Sequence, residues 1–297
     1  MRRQTLWSAC YLTGGLLLAA GQSENDPVSP LQLATNVSSD SLDKIFDEYF
    51  TFKKKIFPTA ASAEGHKGVN DQVEDYSLDG IRNRAEKCKE LYERSKKLTA
   101  ENSDYELYKD LFEYEIAPCA NGLQYKGYLF PPVNIMSSVA LTLPNVIKNT
   151  QLDSIQDYED LLNRLKKVPK MIQQMKALLQ EGIKEGYTYA KESFSGVVRK
   201  FADLQVDAEN SIFYSKFRAI PGSLGRRTVT RLQTSAFNLT KTEILPTLRD
   251  FQDFLQFQYS PNLRNAPGIS SIPNGEEFYK AALKSYLGSD ITPEEVS

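Results

Sequence analysis

Apolar side chains recur at three- and four-residue spacing along most of the chain, the pattern that lays one face of a helix against a core. Ile45, Tyr49, Phe52 and Ile56 follow a Ser/Asp-rich start and predict an amphipathic helix that stops before Pro58. A polar, glycine-containing loop then runs from Glu64 through Gly65 and His66 to Asp75. After Asp79, a second helix carries Ile81, Ala85, Cys88, Tyr92 and Ser95 on one face, which places Cys88 on a buried stripe. A third is predicted from Asp104 to Ile116, with Pro118 ending it and Cys119 just beyond.

Between Tyr125 and Pro144 the helical period is lost, and Pro131-Pro132 removes two backbone donors, so extended or irregular chain is expected. Ser154 followed by Asp157 predicts a capped helix start with Ile155, Tyr158, Leu162 and Leu165 facing inward. Pro169 has the position of a first-turn proline and predicts another helix carrying Ile172, Met175, Leu179 and Ile183, its end loosened by Gly182 and Gly186. Further helices are predicted over 194–204 and over 228–259, the latter interrupted at Pro246. No two-residue alternation is sustained, so the expected fold is all-α. Thr292-Pro293-Glu294-Glu295 is a helix-start signal just before Ser297, the pattern expected of a sequence that ends inside a larger fold; the alternative is a frayed tail matching by chance.

The amino terminus departs from this pattern. Arg2-Arg3 precede an apolar stretch from Leu6 to Ala20 that closes on Ala19-Ala20-Gly21, which predicts a signal peptide cleaved after Gly21 and a secreted product. A membrane anchor fits less well, because Ser8, Thr13, Gly14 and Gly15 interrupt a stretch shorter than the about 20 apolar residues of a span. A lipid anchor on Cys10 would cut that stretch in half. The expected organisation is a signal peptide over 1–21, an exposed lead-in over 22–39 and one helical domain over 40–297.

Composition narrows the chemistry. Thirty-six basic and thirty-eight acidic side chains give a net charge of -2, so no basic excess exists to hold nucleic acid or an anionic membrane. Removing the leader leaves Cys88 and Cys119 in an oxidising compartment, where a disulfide is expected and two buried thiols are the alternative. Asn36 and Asn238 each head a glycosylation sequon. His66 is the single histidine, and no His-Glu-x-x-His helix, Gly-x-Ser-x-Gly elbow or phosphate-cradling glycine loop accompanies it. No catalytic, cofactor-binding or metal-ligating residue is therefore assigned. Asp47-Glu48, Asp157 with Glu159-Asp160, and Glu276-Glu277 are expected to solvate helix faces, as are Lys53-Lys54-Lys55 and Arg226-Arg227, and Ser195 is expected to be structural.

Several blocks together resemble the family catalogued as domain of unknown function 885. They are Gly65-His66 through Asp75-Tyr76-Ser77; Phe130 to Met136; Asp157-Tyr158-Glu159 with Asn163-Arg164-Leu165; Val168-Pro169; Glu181-Gly182-Ile183 with Gly186; Leu245-Pro246; Asn274-Gly275-Glu276 with Phe278-Tyr279; and Thr292 to Val296. The resemblance implies a shell like the amino-terminal half of a helical zincin-type metallopeptidase, with carboxypeptidase-like action on a peptide substrate. It places zinc on a His/Glu helix of a second half that this sequence does not contain. No metal ligand carries over, and Tyr158, Arg164 and Gly182 are expected to hold the shell together. A secreted, non-enzymatic extracellular matrix or binding protein is the alternative reading.

Overall fold

The computed structural model describes residues 41–288 and 292–296; the expected signal peptide, the lead-in and Asn36 lie outside the described residues. Thirteen helices follow one another among them. These are α1 (Leu42–Ile56), α2 (Pro58–Ala63), α3 (Leu78–Lys96), α4 (Ser103–Ala120), α5 (Val139–Asn149), α6 (Ile155–Glu185) and α7 (Lys191–Phe194). After them come α8 (Val197–Ala202), α9 (Ile212–Arg218), α10 (Arg226–Leu239), α11 (Leu245–Phe254), α12 (Gly275–Leu287) and α13 (Pro293–Val296). The fold is all-α; its β pairing among the described residues is two isolated bridges, Val133 with Ser138 and Ala190 with Arg264.

The larger core is built around α6. Ser154 and Asp157 cap its start reciprocally, the Asp157 amide donating to Ser154 Oγ at 3.3 Å and the Ser154 amide to Asp157 Oδ2 at 2.8 Å. After a helix of 31 residues Gly186, at φ 79°, closes it in the left-handed conformation that glycine adopts without strain. At 1.5 Å per residue this is a rod of about 46 Å. Leu161, Leu165, Val168, Ile172, Met175 and Leu179 form an unbroken buried stripe on it, against which α10 and α11 pack.

That stripe explains a correction. Pro169 does not begin a new helix but lies inside α6. An interior proline costs about 3 kcal/mol, and burying several Leu, Ile and Met side chains on both sides of it, at about 2 kcal/mol each, outweighs the loss. Pro118 likewise lies within α4 and Pro144 within α5, so both helices run past the points where proline was expected to end or exclude them. Ile155 is exposed rather than inward-facing. The predicted helix over 194–204 is shorter, α8 over Val197–Ala202, and Gly196, at φ 75°, separates it from α7, which ends at Phe194. The 226–259 rod is continuous, but two π turns, Thr240–Ile244 and Leu255–Tyr259, widen it. The first immediately precedes Leu245-Pro246, where the ring cannot donate to the carbonyl four residues back.

A second, smaller core lies among α1, α3 and α4: Ile45, Cys88, Leu91, Phe112 and Ile116, with Phe46, Tyr49 and Phe52 against it. α3 joins the two, since Ile81 near its start belongs to the larger core while Cys88 and Leu91 belong to the smaller.

Candidate functional site

The residues singled out in the sequence take structural positions. Glu48 accepts from Arg94 Nη1 at 2.8 Å and Nη2 at 3.2 Å, a two-pronged pair that fastens α1 to α3. Those hydrogen bonds hold the Glu48 carboxyl below its usual range. Asp157 serves as the α6 cap, and the Ser154 hydroxyl likewise lowers its pKa. Glu159 pairs with Arg231 across the α6–α10 contact. Glu276 and Glu277 lie in the first turn of α12, where the helix dipole favours acids. Cys88 and Cys119 have Cα atoms 5.8 Å apart and their sulfurs are joined, a geometry that suits the expected bridge. Asn238 is exposed on α10, whereas Thr240, the hydroxyl partner of its sequon, is fully buried.

His66 rides on a loop clamped from below. Arg164, on α6 and almost wholly buried, donates from Nε to the Gln72 carbonyl at 2.8 Å. Its Nη2 donates to Ser62 Oγ at 2.5 Å and to the Val69 carbonyl at 2.9 Å. Two further α6 residues lengthen the clamp: Lys167 reaches Asp71 and Gln72, while Gln174 donates to Asp75 and accepts from the Tyr76 amide. Burial raises Asp75, but hydrogen bonds from Ser77 and Gln174 outweigh it and leave that carboxyl below its ordinary value. Burial lowers the Arg164 pKa, offset in part by Glu74, Asp71 and Asp160 nearby. His66 itself stands above the clamp, 3.7 Å from a Glu64 oxygen and edge-on to Phe50. Among the described residues, no group of three or more His, Cys, Asp or Glu side chains is arranged to hold a metal ion, at His66 or elsewhere.

A second polar knot lies at the far end of α6. Tyr189 donates to the Pro131 carbonyl at 2.6 Å, and the Tyr259 hydroxyl accepts from the Tyr189 amide at 3.0 Å. Arg264 donates from Nε to the Thr188 carbonyl at 2.9 Å and from Nη1 to Ser271 Oγ at 2.7 Å. Burial pushes both phenols well above their ordinary pKa. The knot fixes the 131–138 turn, where Asn134 Oδ1 accepts from the amides of Met136 and Ser137 and leaves Ile135 and Met136 facing outward. A broad concavity is different in kind, a shallow open depression of about 670 Å³ lined by Arg226, Arg227, Thr230, Arg231, Thr234 and Ser235. All six belong to a single helix, so it is a basic flank of α10 rather than an enclosed chamber.

The family of bacterial proteins of unknown function DUF885 matches residues 58–297. The chain belongs to the DUF885 family. The same fold occurs in the crystal structure of a candidate lipoprotein from Colwellia psychrerythraea, with a TM-score of 0.71 at 15% identity. That likeness covers 85% of this chain and 46% of the Colwellia chain, so the DUF885 chain spans about half the length of the solved structure it matches. No curated protein matches it.

The blocks that carry the DUF885 resemblance fall at joints of the shell. Gly65 to Ser77 is the segment held by Arg164, and Phe130 to Met136 is the turn fixed by Tyr189. At Gly182 a side chain would place Cβ 2.6 Å from the Tyr187 carbonyl, and at Gly275 it would collide with the Ile269 carbonyl, so backbone approaches that only glycine permits hold both ends of the α6–α12 region. Thr292 and Glu295 form the reciprocal cap of α13. Tyr189, Tyr259 and Arg264 were not singled out in the sequence. The contacts that tie them to Pro131, to each other and to Thr188 span 58 to 76 positions, and no local spacing signals a contact of that range.

Proposed function

We propose that this DUF885 chain is a secreted or envelope-associated, metallopeptidase-related shell that does not hydrolyse peptides by itself. The observation that carries this reading is the match of its fold to part of a chain about twice as long. In such an arrangement the helices around α6 are scaffold, and a zinc-bearing segment outside this sequence supplies the chemistry. The clamps at Arg164 and at Tyr189–Tyr259–Arg264 support the scaffold role, because their polar groups are turned onto backbone carbonyls rather than toward an open cleft.

The test is direct. The chain from residue 22 onward, purified from a secreting host, is assayed for zinc content and for release of carboxy-terminal amino acids from unblocked peptides. Zinc well below one equivalent and no turnover are expected. One equivalent of zinc with turnover overturns the reading. A non-enzymatic extracellular matrix or binding role is the second reading, favoured by the exposed apolar stripe on α4; stable incorporation of the chain into matrix would support it over the first.

A further inference from the structure

α4 is apolar on two faces. Phe112 and Ile116 point into the smaller core, while Leu107, Leu111 and Tyr114, at i, i+4 and i+7, line the opposite side at 56%, 55% and 44% exposure. Tyr108 extends this stripe at 53%, so four large side chains adjoin on one exposed helix face. The stripe continues onto α12, because Tyr114 donates to the Ser285 carbonyl at 2.5 Å and its ring adjoins Gly288, next to the exposed Leu287. Scattered exposed leucines are ordinary, but a contiguous band at helical spacing marks an interaction surface.

The charges around the band choose its partner. Asp110 and Glu106 flank it on one side and Asp104 on the other, all exposed and with no hydrogen bond or ion pair from their carboxylates to any described residue. Glu115, by contrast, is engaged by Lys53 at 2.5 Å. The one lysine of α4, Lys109, turns inward to the Leu98 carbonyl at 2.8 Å. The result is an apolar strip between uncompensated carboxylates. A second copy docked face to face would set those carboxylates against each other, which disfavours self-association. The same rim repels an anionic membrane surface.

We propose that the α4 face docks a basic amphipathic helix of another polypeptide, with leucine or aromatic residues at i, i+4 and i+7 seated on Leu107, Leu111 and Tyr114 and with lysine or arginine flanks meeting Asp104, Glu106 and Asp110. The inference is independent of the peptidase reading, since it uses neither zinc nor the α6 clamps. A strip this size makes a small, fast-exchanging contact rather than an obligate one.

Two synthetic 18-residue helices test it, one of leucine and lysine and one with glutamate in place of every lysine, each titrated against the purified protein by fluorescence anisotropy at 0.15 M salt. The Leu/Lys peptide is expected to bind and the Leu/Glu peptide not to. Leu107→Ser combined with Leu111→Ser should weaken binding at least tenfold, and Asp104→Lys with Asp110→Lys should reverse the preference between the peptides. All four positions are exposed, and an unchanged melting temperature checks that the variants fold. Equal binding of both peptides, or affinity unaltered by the leucine variants, overturns the proposal. So does a dimer in light scattering that the leucine variants dissolve, which would make the face a self-contact.

Discussion

The two cores of this protein are held in different ways. In the larger one, continuous burial does the work: α6, α10 and α11 share long apolar stripes, and Phe201, Phe251, Phe254 and Tyr259 stack within 5.1 to 6.2 Å of their neighbours. The smaller core has only five buried members, one of them a cysteine. A cluster of that size cannot offset the ordering of three helices by apolar burial alone. It adds the Cys88–Cys119 link, the Glu48–Arg94 pair and the contact of Lys53 and Tyr49 with Glu115. The lesson is that the smaller core adds a covalent link where its apolar stripe runs short, whereas the polar clamps at Arg164 and at Tyr189–Tyr259–Arg264 fasten chain segments onto a larger core already held by burial.

Breaking each core should therefore look different. Phe251→Ala removes a fully buried ring packed edge-on to Phe201 at 5.1 Å. It should cost about 3–5 kcal/mol, read as a lower urea midpoint for the whole molecule. Loss confined to a few amides would contradict a single cooperative core around α6. Next in size is the bridge. Cys88→Ala with Cys119→Ala releases a loop of separation 31, for which chain entropy predicts about 3–4 kcal/mol. The expected signature is local: faster hydrogen exchange in α1, α4 and the second half of α3, with α6 and α11 protected as before. Equal loss in α6 would mean that the two cores are one unit.

Much of this contrast could be read before any coordinates. The stripes on α1, α3 and α6, the Ser154 cap and the position of Cys88 follow from spacing alone, because neighbours three and four apart share a helix face whatever lies elsewhere. The errors cluster at proline. Pro118 and Pro144 carry a local signal to stop and Pro169 one to begin a new helix, and each is overruled by apolar residues along the same helix that pack against neighbouring elements. α9 was not anticipated because Ile212–Arg218 is too short to show a period. The Arg164 block was recognisable by resemblance, but what Arg164 grips was not. Its acceptors lie at 62, 69 and 72, and nothing in the sequence of α6 points to them.

The smallest expected effect sharpens the comparison furthest. Burial raises the pKa of Tyr49 in the smaller core, with the Glu115 charge adding to it, and burial likewise raises Tyr189 and Tyr259 in the larger. A phenol whose folded pKa lies above its unfolded value contributes stability that is intact below about pH 10 and is lost as pH rises beyond it. The three should not ionise together, however. Tyr49 is half-buried in the smaller core, so a local opening of that core should release it, whereas Tyr189 and Tyr259 are buried and tied to each other and should be released only with the larger core. In absorbance at 295 nm during an alkaline titration, assigned with Tyr→Phe variants at 49, 189 and 259, Tyr49 should ionise before the melting transition and the other two with it. Removing the Cys88–Cys119 link should move the first to lower pH and leave the other two in place. If all three shift together, the separation of the two cores fails, because a bridge that acts only on the smaller one has no means of reaching Tyr259.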